Sequence, residues 1–351
     1  MVGISLLTLV PGVVGGSETY ARELTRALAR VGELEYRVFT SKLAPDAADG
    51  LPGQVVRHYR ASRSIPGRLL AMSSAAVSPG LRRELELDRL DGLHYAMTVA
   101  IPPVREPPTV VTLQDLQHEL QPQFFSRAER AWRRLAYRPS VRRARFVIVP
   151  SEHVRETALE RLGLGQERVR AIPYGVDHER FRPSTGPREP FLLYPANRWP
   201  HKNHERLFEA FALVRRERPD LRLVLTGAGH DGRAGLAESR GYVTRDELAD
   251  LYARASALVF PSLYEGFGLP PLEAMASGCP TAVSDAGALP EVCGDSARVF
   301  DPTSPDDIAK AVLDLLADPE PYVKRGLERA AEFTWERSAR AHEQVYRELV
   351  S

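Results

Sequence analysis

The sequence predicts an α/β chain built as two successive doubly wound domains with a cleft between them. Buried-strand runs alternate with helical periods along most of the 351 residues. A Pro-, Gly- and charge-rich segment without a sustained period, residues 172–190, separates an earlier β/α series from a later one. The length suits two domains of ordinary size.

In the first series, residues 2–9 form an apolar run. No basic residue precedes it and no small-residue cleavage site follows, so it is expected as a first strand and not a secretory signal. The turn VPGVVGGSETY leads into a helix to about Val31, with Ala21, Leu24, Leu28 and Val31 at three- and four-residue spacing and Ser17 as the expected N-cap. Gly15 and Gly16 allow close approach of a phosphate or sugar, or of neighbouring backbone; both uses stay open at this point. Gly12, Gly15 and Gly16 do not make GxGxxG, which disfavours a dinucleotide-dependent dehydrogenase.

Further strands are expected near 34–40, 54–59, 109–113 and 146–151. The segment TVVTLQDLQHEL (109–120) puts Gln114, Asp115 and His118 at or just beyond a strand's carboxyl end, where open α/β sheets present ligand groups. Next come Arg127, Arg130, Arg133, Arg134, Arg138, Arg142, Arg143 and Arg145, interleaved with Trp132, Leu135 and Tyr137. This stretch is either a solvated helix face or a surface for an anionic membrane or lipid-phosphate acceptor.

The second series opens with a strand at 191–195, the loop ANRWPHK, and a helix from Asn203 with Leu207, Phe208, Phe211 and Val214 on one face. A strand at 221–226 follows, and Thr244 with Glu247 makes a capping box for a helix to about Arg254. The strand 256–260 then runs into the stretch around which the rest is arranged, FPSLYEGFGLPPLEAMASGCPTAVS, Phe260–Ser284. Pro270 and Pro271 suit a first helical turn, and Gly278 suits the residue that ends the helix. Glu265 and Glu273 bracket the turn, and the amides of Gly266, Phe267, Gly268 and Leu269 are expected to face a docked phosphate. Carboxylates beside a phosphate-binding helix start suggest a nucleotide-sugar site. The tail from about Asp306 is expected to be helical, with a final helix from Trp335.

Composition narrows the function further. A formal net charge of +1 lacks the basic excess of a general nucleic-acid binder, so no nucleic-acid partner is expected. Cys279 and Cys293 show no CxxC pairing, which fits a reducing, cytoplasmic setting and gives no zinc signature. No apolar run approaches the roughly 20 residues of a membrane span. Arg198 and Lys202 follow the second series' first strand, so they are expected on the same strand-end edge as Glu265. There a guanidinium and an ammonium could stabilise a departing diphosphate.

With those residues in view, NRWPHKNHERLFEAF and FPSLYEGFGLPPLEAMASGCP resemble the retaining glycosyltransferases of family 4, whose GT-B fold has two Rossmann-like domains facing each other across a cleft. Glu265 and Glu273 match that family's E-x7-E motif. The resemblance implies an acceptor-binding domain at 1–178, a nucleotide-sugar domain at 179–334, and a helix at 335–351 crossing back to the first. It implies that Glu265 binds the donor sugar and Glu273 the ribose. Arg198 and Lys202 would hold the diphosphate with Gly15, Gly16 and the amides after Glu265, and Tyr242 and Val243 would line the base. The family usually has His-Asp where this chain has Gln114-Asp115; His118 lies four residues on. Glutamine cannot act as a base, so either His118 compensates or the departing phosphate takes the acceptor's proton.

No Asp-x-Asp pair occurs in the chain, so no metal or other cofactor is expected. The implied activity is transfer of a hexosyl group from a nucleoside-diphosphate sugar to a carbohydrate or lipid-linked acceptor. The PHKNH loop resembles mannosyl- and rhamnosyltransferases of polysaccharide assembly, which points to GDP-mannose or a deoxyhexose donor. The rivals are a sugar-nucleotide-binding subunit without turnover and a GT-B epimerase or disaccharide synthase. The expected location is cytoplasmic, with the arginine-rich stretch as the contact to an inner membrane face.

Overall fold

A computed structural model describes residues 1–13, 15–184, 186–229 and 236–351. Val14 of the glycine turn and Thr185 of the expected linker therefore lie outside the described residues. The chain forms two compact units, Met1–Gly175 with Trp335–Ser351, and Val176–Thr334.

Unit 1 holds strands β1 (Val2–Ser5), β2 (Tyr36–Thr40), β3 (Gly53–Val55), β4 (Gly92–Tyr95), β5 (Thr109–Thr112), β6 (Phe146–Val149) and β7 (Val169–Ala171). Its helices are α1 (Gly16–Val31), α2 (Ile65–Ala76), α3 (Pro79–Glu84), α4 (Gln117–Leu120), α5 (Arg127–Arg143) and α6 (Glu152–Leu162). Unit 2 holds β8 (Glu189–Pro195), β9 (Arg222–Thr226), β10 (Glu238–Ser239), β11 (Ala255–Phe260), β12 (Thr281–Ser284) and β13 (Arg298–Phe300). Its helices are α7 (His204–Glu217), α8 (Arg245–Arg254), α9 (Leu269–Ala276), α10 (Leu289–Cys293), α11 (Pro305–Ala317) and α12 (Glu320–Ala331). A last helix, α13 (Trp335–Val350), belongs to unit 1.

Both sheets are parallel, in the orders β3-β2-β1-β4-β5-β6-β7 and β10-β9-β8-β11-β12-β13. A parallel sheet is covered on both faces, which is why β1, β5, β6 and β12 are buried along their whole length. The order reverses between β1 and β4 in unit 1 and between β8 and β11 in unit 2. Loops leaving adjacent strands in opposite directions open a crevice at that point.

Five of the described strands, β4, β7, β10, β12 and β13, escape the sequence patterns. GLHY of β4 is short and carries a histidine, and β7 has three residues. Ser17 is not the N-cap: α1 already starts at Gly16, and Gly15 caps it at φ 52°, ψ −125°, a backbone conformation open to glycine. The capping box at Thr244–Glu247 forms as expected, and Gly278 takes φ +69° just past α9.

Within unit 1, α13 is held by a buried chain of hydrogen bonds whose direction can be worked out. The Ser338 carbonyl can only accept, so His342 Nδ1 donates to it at 2.8 Å and Nε2 is left to accept from Tyr20, at 2.9 Å. The Tyr20 hydrogen is then used, so Thr112 donates to Tyr20 at 2.7 Å and His94 Nε2 donates to Thr112 at 2.8 Å. His94 Nδ1 accepts from Tyr346 at 2.8 Å, which brings the chain back to α13. Both imidazoles are thereby neutral. Burial agrees, lowering His342 to about 4 and His94 well below its ordinary value.

Candidate functional site

The candidate site in unit 2 is built on the β8/β11 reversal. After β8 the chain turns through Pro200–Lys202, and Asn203, at φ 59°, ends the turn and starts α7. Asn203 Nδ2 donates to the carbonyls of Pro261 (3.1 Å) and Pro302 (2.7 Å), and Leu263 N donates to His201 O at 2.7 Å. Tyr194 adds a hydrogen bond to the Lys202 carbonyl at 2.6 Å. These bonds pin the loop after β8 against the loop after β11.

On that frame Lys202 Nζ meets Glu265 Oε1 at 2.5 Å, with side chains 12% and 15% exposed. Lys202 also lies 5.2 Å from the Phe260 ring centroid. The Glu265 backbone is fixed from behind: its carbonyl accepts from Ala288 N at 3.0 Å, and a Cβ on Gly287 would stand 2.4 Å from that oxygen. Glycine is required there twice over, since Gly287 also has φ +63°.

Arg198 goes elsewhere. Its Nη2 reaches Glu205 in the first turn of α7 at 3.0 Å, so the two cations of the loop have separate acidic partners. Its loop is braced by Arg198 N to Ala228 O at 2.9 Å and by Ala228 N to Asn197 Oδ1 at 2.7 Å.

Past Glu265, Gly266 is half-buried, while Phe267 and Leu269 are 5% and 8% exposed and Gly268 is buried too. The Phe267 ring packs on Phe333, with centroids 6.0 Å apart. Glu273 is 3% exposed, with Oε1 at 3.0 Å from Arg245 Nη1 and Oε2 accepting from Tyr252 at 3.4 Å. Its carboxylate is therefore already engaged inside unit 2. Arg245 was not singled out from the sequence; its place one residue after the capping Thr244 was the available signal. Tyr242 is 66% exposed and Val243 half-buried, just before α8.

In unit 1, Gly15 and Gly16 are exposed at the start of α1, and a Cβ on Gly16 would meet nothing within 4 Å. Gln114 follows β5 and is half-buried. His118 is buried in unit 1. It is 1% exposed between Phe125 (6.4 Å) and Tyr137 (5.3 Å), in the packing of α4 against α5. Burial, with the positive Arg133 nearby, lowers it to about 4, so it is neutral. On α5, Arg134 and Arg138 pair with Glu119 at 3.0 and 3.2 Å, and Arg133 lies over Phe125. Much of the arginine stretch thus serves local packing.

Two Rossmann-like units, each built on a parallel sheet, are the fold of the GT-B class of glycosyltransferases. The glycosyltransferase family 4 model matches residues 14–180 and the model for glycosyl transferases group 1 matches residues 176–332, so the chain belongs to the family 4 glycosyltransferases. It is 38% identical to the O-antigen chain mannosyltransferase B of Escherichia coli over 42% of each chain. It is 36% identical to the MMP alpha-(1->4)-mannosyltransferase of Mycolicibacterium hassiacum over 53% of this chain and 49% of that one. The chain thus spans about half the length, or less, of these two curated relatives. Among solved structures, sucrose-phosphate synthase from Thermosynechococcus elongatus superposes with a TM-score of 0.81 at 23% identity, covering 99% of this chain and 98% of that one. Anabaena HepE in complex with UDP and glucose gives 0.72 at 17%, covering 100% and 99%.

Proposed function

We propose that the chain transfers a hexosyl group from a nucleoside-diphosphate sugar to an acceptor hydroxyl, with retention and without a metal ion. The observation that carries the proposal is the Lys202–Glu265 pair at the β8/β11 reversal. An ammonium that exchanges its carboxylate for a diphosphate supplies positive charge where the leaving group develops, and the released carboxylate then accepts from sugar hydroxyls. Arg198 does the same by leaving Glu205. At Glu273 the 3.4 Å contact to Tyr252 is the one a ribose hydroxyl would replace. Tyr242 and Val243 are assigned to the base, and Gly15 and Gly16 to the diphosphate. Gln114 cannot take a proton and His118 is buried, so the departing phosphate is assigned as the acceptor of the hydroxyl's proton.

GDP-mannose or a deoxyhexose donor is favoured because both relatives described above are named as mannosyltransferases. Thermal shift against UDP, GDP, dTDP and ADP identifies the base, since a ligand of the native state raises the melting temperature. Transfer assays on the matching sugar, with and without EDTA, and the anomeric proton coupling of the product then test metal independence and retention. Complete loss in EDTA restored by magnesium, or an inverted product, sinks the corresponding part. A binding subunit without turnover is the second reading, prompted by glutamine at 114; affinity without transfer would establish it.

A lipid-linked acceptor and contact with an anionic membrane are proposed for one face of unit 1. There an apolar groove between α2 and α5, lined by Met72, Trp132, Leu135 and Ala136, runs beside Arg143, and Leu70, Val77 and Leu135 are exposed. Among the described residues no helix is long and apolar enough to cross a membrane.

A further inference from the structure

The glutamine that stands where the family usually has histidine is held in one orientation. Gln114 Nε2 donates to the Ala96 carbonyl at 3.3 Å, and Oε1 accepts from the Tyr174 hydroxyl. A carbonyl can only accept, so the nitrogen end of the amide must face Ala96, and Tyr174 must be the donor. Tyr174 is itself immobilised: it is 5% exposed, its ring lies 4.8 Å from that of Tyr20, and it stacks on Trp335 at 5.9 Å and 21°. Burial raises its hydroxyl well above its ordinary pKa, so it remains a donor. The backbone is pinned as well, with Gln114 N at 3.5 Å from Thr98 Oγ1. Thr98 has φ 66°, which a β-branched residue adopts only when its surroundings impose it.

One Nε2 hydrogen and one side of Oε1 are thereby engaged within unit 1. The second Nε2 hydrogen makes no hydrogen bond among the described residues. We propose that Tyr174 is a positioning residue that locks the Gln114 carboxamide so that it offers an N–H donor to an oxygen of the substrate. The proposal rests on the glycosyltransferase reading for what that substrate is, a sugar nucleotide or its acceptor. An N–H cannot remove a proton; it orients the oxygen that it holds.

Tyr174→Phe keeps both ring contacts and deletes the hydroxyl alone. The expected result is a fall in kcat on the order of tenfold, the cost of a misplaced group, with donor KM within about twofold. In a Gln114→Ala background the same change should have no further effect; losses that multiply would mean that Tyr174 acts on something else and would overturn the proposal. A second readout needs no turnover. In protein with 15N-labelled glutamine, the side-chain amide pair missing from Gln114→Ala belongs to Gln114. In Tyr174→Phe its protected hydrogen should exchange on the order of tenfold faster, because the amide is free to turn. Unchanged protection overturns the proposal. A wild-type chain inert toward every sugar nucleotide counts against the glycosyltransferase reading and leaves the exchange result to decide Tyr174.

Discussion

Arg198, Lys202 and Glu265 are three charges on two neighbouring loops, but they are held in different ways, and substitutions should separate them. Arg198 pairs with Glu205 where both are substantially exposed, 30% and 52%, so that bridge contributes at most about 1 kcal/mol to folding. Arg198→Ala should therefore leave the melting temperature nearly unchanged. If it meets the diphosphate, it should lower kcat/KM by roughly 2–4 kcal/mol of transition-state stabilisation. Glu265→Ala is different, because it strands Lys202 at a site only 12% exposed and should lower both stability and turnover. Circular-dichroism melts beside steady-state kinetics distinguish the two; equal losses of stability would remove Arg198 from the site. At this scale the sequence supplied residue types but not their engagements. Nothing in the spacing told that Glu273 is taken by Arg245 and Tyr252, or that His118 is sealed between Phe125 and Tyr137. Those outcomes depend on partners far along the chain.

Elements were easier to read where local chemistry dictates them. The capping box of α8, the prolines opening α9 and the apolar face of α7 all stand in the structure as their patterns indicate. The β4 strand was missed because His94 breaks its apolar run, and that histidine is a member of the hydrogen-bond chain that fastens α13. The chain makes α13 sensitive to acid. His342 is held near 4 in the folded state, below its ordinary 6.5, so between those values the unfolded chain binds more protons. Its stabilisation is complete above pH 6.5, and disappears as pH falls toward 4; His94 adds in the same direction. A gap of that size is worth about 3 kcal/mol. The groups facing the histidines, Tyr20, Tyr346 and Thr112, do not titrate in that window. The melting temperature should drop between pH 7 and pH 5, and His342→Gln should flatten that slope. Equal slopes in the two proteins would mean that the imidazole is not the responsible group.

For the molecule as a whole, the chain leaves unit 1 after Gly175 and re-enters it at Trp335, and the ends of unit 2 lie side by side. Val176 pairs with Thr334 in a parallel bridge, and Val176 N donates to Phe333 O at 3.1 Å. Unit 2 is thus an insertion with adjacent ends, a form that excision tolerates because no element has to be cut. Residues 176–334 expressed alone should melt in one cooperative transition and, on the proposed function, keep a nucleotide-dependent thermal shift. Unit 1 cannot be treated in the same way. Residues 1–175 lack α13, which supplies both ends of the buried hydrogen-bond chain and packs Leu349 so tightly on Gly92 that a Cβ there would stand 2.6 Å from it. Without α13 the hydroxyl of Tyr20 and the ring of His94 lose partners in a buried setting, each at about 1–3 kcal/mol, and apolar surface is uncovered besides. Residues 1–175 should be unfolded or loosely packed. Joining Gly175 to Trp335 through a short glycine–serine linker should restore a cooperative melt. A well-folded 1–175 fragment, or a linked form no more stable than it, would show that the last helix is an appendage to unit 1 and not part of its core.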